Sequence, residues 1–235
     1  MIPWLSAEPV FPSPHLALAE PDGLLAAGGD LSVERLLAGY RLGVFPWYSP
    51  GDPVLWWSPS ARMTLTPALL RVSRSFAKVL RNRPYQVTID RDFEAVIRAC
   101  AAPRDGQRGT WIVEDMIQAY LALFHAGHAH SVEVWQGGRL IGGLYAVSVG
   151  RMVYGESMFS RQADASKIAL AHLARHVQAH GLDLIDCQMH TDHLARMGAC
   201  LMSRDAFIAA VAERVRQPVP AGLWEYCVDN EPPRP

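Results

Sequence analysis

Three strand-like segments that follow one another with only tight turns between them constrain the fold more than any other part of this chain. The segments S-V-E-V-W and L-I-G-G-L-Y-A-V-S-V are joined by the turn Q-G-G-R, and the third segment, M-V-Y-G-E-S-M-F, follows after G-R. Connections this short join neighbouring antiparallel strands. The sequence therefore predicts an antiparallel meander over residues 131–159.

Helical patterns flank the meander on both sides. We predict an amphipathic helix over residues 113–126 before it and a long helix over 164–179 after it, followed by a strand over 182–188. Two further helical segments are predicted over 192–197 and 204–215. This order of elements is typical of an α+β protein. It matches the core of the GNAT-like (acyl-CoA N-acyltransferase-like) fold.

The first part of the chain has a less regular pattern. Helices are predicted over 33–42, 71–80 and 92–101, and the segment G-V-F-P-W-Y-S-P-G-D-P is predicted to be a loop because it holds three prolines and two glycines. The polar segment P-R-D-G-Q-R-G-T at 103–110 is typical of a mobile loop or a hinge. We therefore place a small N-terminal lobe over residues 1–102 and the GNAT-like domain over residues 103–235.

Sequence signals for export or membrane insertion are missing. The N-terminal sequence M-I-P-W-L-S-A-E-P lacks the charged and apolar regions of a secretory signal, and no stretch reaches the roughly 18 apolar residues of a membrane span. The four cysteines are scattered, with no CxxC pair, which is typical of reduced thiols. We expect a cytoplasmic protein with no membrane partner.

Charge is distributed unevenly although the formal net charge is only −1. No Asp or Glu occurs between Pro53 and Ile89, whereas six basic residues lie there. On the predicted helix, Arg71, Arg74, Lys78 and Arg81 are three or four residues apart and share one face, with Arg83 just beyond. Such a face fits a phosphate backbone. A solvated helix face is the equally weighted alternative.

Two polar residues stand close together on the predicted strand 182–188. Alternation along a strand places Asp186 and Gln188 on one face, and Ile185 and Cys187 on the other, where Cys187 is expected to pack. Buried polar groups need partners. The residues alone leave two interpretations open, a catalytic pair or a helix cap with a partner for backbone groups.

Glu156 interrupts an apolar strand face that the alternation assigns to Met152, Tyr154 and Met158. The neighbouring Gly155 allows a ligand or another backbone to approach closely. A functional carboxylate and a salt bridge to Arg151 or Arg161 are both consistent with this pattern.

Other chemistries find little support in the sequence. His125, His128 and His130 diverge across a helix end and a strand start, so we expect no metal site. The segment S-R-Q-A-D-A-S-K, which opens the long helix, lacks the glycines that cradle a pyrophosphate, so we expect no acyl-CoA and no other cofactor. Aromatic and Met side chains are candidates to line an apolar pocket or to pack in the core; they are Trp47, Trp56, Trp57, Trp111 and Met158.

These segments together resemble one known family. The motifs W-W-S-P, G-T-W-I, G-H-A-H-S-V-E-V-W, G-E-S-M-F-S-R, D-A-S-K and I-D-C-Q occur in an order similar to that of the leucyl/phenylalanyl-tRNA–protein transferases. The resemblance runs from about Phe11 to about Cys227. It implies transfer of Leu or Phe, and to a lesser extent Met, from aminoacyl-tRNA to proteins with an N-terminal Arg or Lys, which marks them for degradation by the N-degron pathway.

The resemblance also implies roles for individual residues. It makes Asp186 and Gln188 the proposed catalytic pair, with Glu156 beside them, and makes the basic helix the tRNA-contacting region. An aminoacyl pocket is implied at Trp47, Trp111, Leu144, Gly155, Met158, Leu173 and Ile185. Leu144 and Leu173 replace the Met and Phe expected at two pocket positions, which leaves the preference between Leu and Phe open. An acyl-CoA N-acyltransferase and a non-catalytic RNA-binding protein are the two alternatives.

Overall fold

A computed structural model of the protein describes residues 2–103 and 112–230. The described strands are β1 (Trp4–Leu5), β2 (Leu24–Gly28), β3 (Phe45–Pro46), β4 (Leu55–Trp57), β5 (Ala61–Leu65), β6 (Gln86–Ile89), β7 (Ala129–Gln136), β8 (Arg139–Val149), β9 (Met152–Ser160), β10 (Ile185–Asp186), β11 (Cys200–Ser203) and β12 (Cys227–Asp229). The described helices are α1 (Val33–Arg41), α2 (Arg74–Asn82), α3 (Phe93–Ala101), α4 (Glu114–His125), α5 (Ala165–Ala179), α6 (Asp192–Arg196) and α7 (Arg204–Arg214).

The strands form two sheets of mixed direction. The smaller sheet has the order β1-β2-β4-β3, and the larger has the order β11-β5-β10-β9-β8-β7-β6-β12. Strands β7, β8 and β9 pair antiparallel in sequence order, as the tight turns predicted. Strands β9 and β10 run parallel, so the chain crosses over through α5 between them. The α+β class predicted from the order of elements is confirmed.

The larger sheet contains strands from both halves of the chain. Strand β5 pairs with β10 and β11, and strand β6 pairs with β7. Both β5 and β6 precede residue 102, where we predicted the end of an N-terminal lobe. The sheet therefore continues across the predicted boundary, and the strands of the smaller sheet all lie within residues 4–57.

Apolar side chains cover both faces of the larger sheet. One buried cluster joins α1, α3 and α4 to side chains of β8 and β9 that include Tyr145 and Tyr154. The other joins α2 and α5 to the opposite side of the sheet, through residues such as Leu144 and Val153. Burial of these clusters supplies most of the driving force for folding.

Three predicted elements differ from the structure, each for a local reason. The basic helix begins at Arg74 and not at Arg71, because the hydroxyl of Ser73 accepts the backbone N–H of Phe76 and caps the first turn. The strand predicted over 182–188 is reduced to β10, and at its C-terminal end Gln188 has φ 57° and leaves the extended conformation. Strand β9 contains a bulge: Tyr145 pairs with Ser157 and Ala146 with Gly155, which leaves Glu156 as an extra residue.

Within the described residues, no helix combines the length and the apolar character that a membrane crossing requires.

Candidate active site

A cavity of about 300 Å³ lies between the β3 segment, strands β8 to β10, and helices α5 and α6. This volume is at the small end of the range for ligand pockets. The described residues that line it are Phe45, Pro46, Trp47, Leu144, Tyr145, Gly155, Glu156, Ser157, Met158, Leu170, Leu173, Ile185, Cys187, Gln188, Met189, Thr191 and Leu194. Most of these are apolar, which suits a hydrophobic ligand group.

The structure brings together most of the pocket residues that the family resemblance implied. Six of them line the cavity, namely Trp47, Leu144, Gly155, Met158, Leu173 and Ile185. Trp111, the seventh, lies outside the described residues. Trp47 is 41% exposed and its backbone carbonyl accepts the indole N–H of Trp57 at 2.6 Å, so it stands at the mouth of the cavity.

Glu156 and Gln188 form the polar part of the cavity wall. The Nε2 amide of Gln188 donates to Oε1 of Glu156 at 3.1 Å, and the hydroxyl of Tyr120 donates to Oε2 at 3.0 Å. The Tyr120 hydroxyl lies 2.6 Å from that of Tyr40. These bonds satisfy a carboxyl group that is otherwise enclosed by the protein.

Burial raises the pKa of Glu156 to about 7, although the hydrogen bonds from Tyr40, Gln188 and Tyr120 oppose the shift. The nearby charge of Asp186 acts in the same direction as burial. The carboxyl group of Glu156 therefore changes protonation near neutral pH. That is the range in which a side chain accepts and returns protons most effectively.

The bulge in β9 places Glu156 and Met158 on different sides of the sheet. A regular strand would place Glu156 and Met158 on the same face, as the sequence alternation predicted, and this prediction is wrong. Glu156 stays with Met152 and Tyr154 on the side of α4, where it meets Tyr120, whereas the extra residue turns Met158 to the side of α5. Bulges commonly re-aim one side chain in this way beside a functional site. The salt bridge to Arg151 or Arg161, one of the two alternatives for Glu156, is not formed; the partners of its carboxyl group are Tyr120 and Gln188.

Asp186 is engaged by an arginine that we did not single out as a site residue. Its two carboxylate oxygens accept hydrogen bonds from Arg62, one from Nε at 2.8 Å and one from Nη2 at 2.6 Å. Both side chains are almost fully buried. Oδ1 of Asp186 also accepts the backbone N–H of Gln188 at 2.8 Å. Asp186 itself is not among the described residues that line the cavity.

Asp186 and Gln188 therefore do not share a face, contrary to the strand alternation. The positive φ of Gln188 turns its side chain into the cavity, while Asp186 remains behind the wall with Arg62. Cys187 shares the face of Ile185, as the alternation predicted, but both residues line the cavity, so our expectation that Cys187 packs away from the site is wrong. Burial, followed by the charge of Asp186, raises the pKa of the Cys187 thiol, so it stays protonated at neutral pH.

The basic residues predicted to face a phosphate backbone fall into two groups. Arg71, Arg74, Lys78 and Arg81 are exposed, and none of them forms a salt bridge with any part of the chain that the structure describes. Arg83 is half-buried and donates to the carbonyl of Ala163 and the side chain of Gln162. Arg83 is thus used to hold the start of α5.

The exposed basic residues are connected to the cavity through α6. The backbone N–H of Arg71 donates to the carbonyl of Met197, directly after that helix. Leu194 of α6 lines the cavity. A ligand that spans both places would put its anionic part on the basic residues and its apolar end inside the protein.

Over the described ranges, 2–103 and 112–230, no three His, Cys, Asp or Glu side chains are grouped in a way that would bind a metal ion. His130 instead pairs with Asp90 at 2.7 Å and stacks on Trp224.

Comparison with known proteins gives consistent results along the whole chain. The family model described as leucyl/phenylalanyl-tRNA protein transferase matches residues 64–212, and the model of its N-terminal domain matches residues 29–60. A leucyl/phenylalanyl-tRNA–protein transferase of Chromobacterium violaceum is 59% identical over 231 residues, which cover 98% of this chain and 99% of the relative. One from Laribacter hongkongensis is 55% identical over 232 residues, covering 99% and 100%.

Among solved structures, FemX is similar at 13% identity over 73% of this chain and 66% of that chain, with a TM-score of 0.46. A TM-score at this level is too low to assign a shared fold.

Proposed function

The chain belongs to the leucyl/phenylalanyl-tRNA protein transferase family, and we propose that it moves a leucyl or phenylalanyl group from charged tRNA to the N-terminal Arg or Lys of an acceptor protein. One observation carries the proposal beyond family membership. The apolar cavity, which has room for such a side chain, has the Glu156–Gln188 pair in its wall, where an ester and an amine can meet.

The donor is already an activated ester, so its transfer requires orientation more than a covalent intermediate. The nitrogen of the acceptor amine attacks the ester carbonyl carbon, a C–N bond forms, and the C–O bond to the tRNA ribose breaks. The ribose oxygen leaves with a proton that originates on the amine. The chain has to hold both reactants and manage that proton.

Glu156 and Gln188 suit these tasks. An α-amino group has an ordinary pKa of roughly 8, and burial gives Glu156 a pKa of about 7. Glu156 is therefore matched to take the first proton from the acceptor's ammonium group. The carboxamide of Gln188, which already donates to Glu156, positions the neutral amine through its oxygen.

Asp186 acts indirectly in this scheme. Its carboxylate is paired with Arg62 behind the cavity wall and receives the backbone N–H of Gln188. We assign it as a positioning residue for Gln188, and not as a group that contacts the amine.

The donor's side chain enters the apolar part of the cavity, against Leu144, Met158, Leu173 and Ile185. Selectivity against β-branched Ile and Val follows from pocket shape, since one methyl group in such a pocket changes binding by about 1–3 kcal/mol. Met has an unbranched side chain and is accepted to a lesser extent.

The exposed residues Arg71, Arg74, Lys78 and Arg81 hold the tRNA backbone, which positions the donor without reading its sequence. We propose further that the meander and α5 form a GNAT-like core, that the enzyme works in the cytoplasm without a cofactor, and that the modified proteins enter N-degron degradation. Acceptors are recognised by the positive charge of their first side chain, which a partly ionised Glu156 attracts.

A transfer assay tests the proposal. Phe-tRNA and a peptide that begins with Arg are mixed with the enzyme, and the mass of the peptide is expected to rise by one phenylalanyl residue. A peptide that begins with Gly is the matched control. Acylation from acyl-CoA, or tight binding of tRNA with no transfer, would favour the two alternative functions instead.

A further inference from the structure

We propose that Arg62 is a positioning residue that fixes the two walls of the cavity relative to each other. The expected effect on kinetics rests on the proposed function. The structural role rests on the contacts of one guanidinium group. Arg62 is 1% exposed and lies on β5, the strand beside β10 in the larger sheet.

The guanidinium holds the β10 wall through two charge-assisted bonds. Nε and Nη2 form a bidentate pair with the carboxylate of Asp186. That carboxylate accepts the backbone N–H of Gln188 and so supports the left-handed turn at φ 57°. A non-glycine residue in this region is strained and persists because its surroundings hold it. Arg62 thus acts on the Gln188 side chain through one intermediate group.

The same guanidinium holds the opposite wall. Nη1 donates to the carbonyl of Gly43 at 3.1 Å, at the entry to β3 of the smaller sheet. The Phe45 ring of β3 lies 4.5 Å from the guanidinium carbon and lines the cavity. Phe207 of α7 covers the guanidinium at 4.6 Å. One side chain therefore links a wall made by the smaller sheet to the polar wall made by the larger one.

Only an arginine fits this set of partners. Its planar fork presents donors in fixed directions to the carboxylate and to the carbonyl, and its flat faces stack on the two rings. A lysine ammonium at this position would keep the charge. It could not form a bidentate pair with Asp186 and also donate a hydrogen bond to the carbonyl of Gly43.

A general stabilising role is the competing explanation, since buried ion pairs are weak evidence for stability. The two explanations predict different turnover for Arg62→Lys protein that is folded. If Arg62 only stabilises the fold, then Arg62→Lys protein that remains folded turns over normally. If Arg62 positions the walls, the folded variant has a displaced Gln188 and a lower kcat.

The experiment compares Arg62→Lys with Arg35→Lys. Arg35 is a matched control because it is also buried and its guanidinium also donates to backbone carbonyls, those of Ser6 and Ala7, away from the cavity. Rates are normalised to the folded fraction from circular dichroism. We expect kcat to fall about 10- to 100-fold in Arg62→Lys, as for a displacement of about 1 Å, and to stay within about twofold of wild type in Arg35→Lys.

A second measurement does not depend on activity. The side-chain amide resonance of Gln188, assigned through its loss in Gln188→Glu, is expected to shift in Arg62→Lys and not in Arg35→Lys. A wild-type kcat in folded Arg62→Lys, or a lower kcat with an unmoved Gln188 resonance, would overturn the proposal. If wild-type protein shows no transfer at all, the proposed function fails, and the resonance alone decides the role of Arg62.

A milder variant covers the case in which Arg62→Lys does not fold. Phe207→Leu removes one stacking face from the guanidinium and leaves the ion pair and the described cavity lining intact. We expect a several-fold fall in kcat together with a shifted Gln188 resonance. Phe11→Leu, which changes a buried ring packed edge-to-face on Trp56, is the control; equal effects of the two variants would contradict the positioning role.

Discussion

The side-chain amide of Gln188 donates to the carboxyl group of Glu156 at 3.1 Å, and each of the two residues lies at an irregularity of the backbone. Glu156 is the extra residue of a β-bulge, and Gln188 has a left-handed backbone conformation. Gln188 in regular strand geometry would point elsewhere, and the bulge separates Glu156 from the face of Met158.

The protonation of Glu156 should appear in the stability of the protein. Its pKa is about 7 in the folded state and about 4.5 in the unfolded chain, so between these values the folded state binds more protons. Stability contributed by this group is therefore lost as pH rises from about 4.5 to 7. Glu156→Gln should remove that loss and stabilise the protein above pH 7 by at most about 3 kcal/mol.

Urea unfolding of Glu156→Gln and wild type at pH 5 and pH 8 measures the difference. Glu8→Gln, at an exposed position, is the control and should leave the pH dependence unchanged. Stability curves of Glu156→Gln and wild type that run parallel between pH 5 and 8 would show that Glu156 ionises normally.

Removing the carboxylate of Asp186 should damage stability and activity together. Asp186→Ala leaves Arg62 buried without its partner, and breaking a buried pair in this way costs about 3–5 kcal/mol. Asp183→Ala is a close control, because Asp183 also forms a bidentate pair, with Arg214, but its side chain is 66% exposed. Loss of an exposed pair should cost below about 1 kcal/mol.

Chemical unfolding and transfer rates on the folded fraction distinguish the two variants. If folded Asp186→Ala keeps near-normal turnover, Asp186 does not position Gln188 for the reaction, and its role is structural alone.

The size of the apolar pocket should determine the choice of donor. Leu173 lines the cavity and is buried, so Leu173→Phe reduces the space available to the donor side chain. We expect the ratio of kcat/KM for Leu-tRNA over Phe-tRNA to rise about tenfold, in line with the roughly 1–3 kcal/mol that one methylene is worth. The ratio cancels any loss of folded protein, and an unchanged ratio would place the donor side chain elsewhere.

Reversal of charge on the exposed basic residues should weaken tRNA binding. Arg74→Glu with Lys78→Glu removes two cations from the described face, so the affinity should fall and its dependence on salt should become shallower. Arg41→Glu with Arg216→Glu changes the net charge equally at other exposed positions. Filter binding over a range of salt concentrations compares the tRNA affinities of the two double variants. Equal affinities would show that the basic face is only a solvated helix face.

The local parts of this structure were predictable from sequence. The meander follows from turns of two to four residues, and the helices follow from apolar periodicity, since both depend on neighbours in the chain. Six aminoacyl-pocket positions implied by the family resemblance lie around one cavity, but that resemblance, and not periodicity, indicated them.

The parts that could not be predicted depend on distant contacts. Arg62 meets Asp186 across 124 positions of sequence, and periodicity gives no sign of such a pair. The signal that was present was an arginine in an apolar strand, which needs a buried partner. The bulge at Glu156 and the turn at Gln188 break the two-residue alternation, and for this reason the predicted faces of Met158 and Gln188 were wrong.

The most direct test of the account is single-turnover transfer from Phe-tRNA to a peptide that begins with Arg, by wild type and by Gln188→Ala. We predict that wild-type enzyme produces the phenylalanyl peptide, and that the folded variant binds the same tRNA but transfers at least about 100-fold more slowly. Full transfer by Gln188→Ala, or no peptide product from wild-type enzyme that binds Phe-tRNA, would contradict the proposed site.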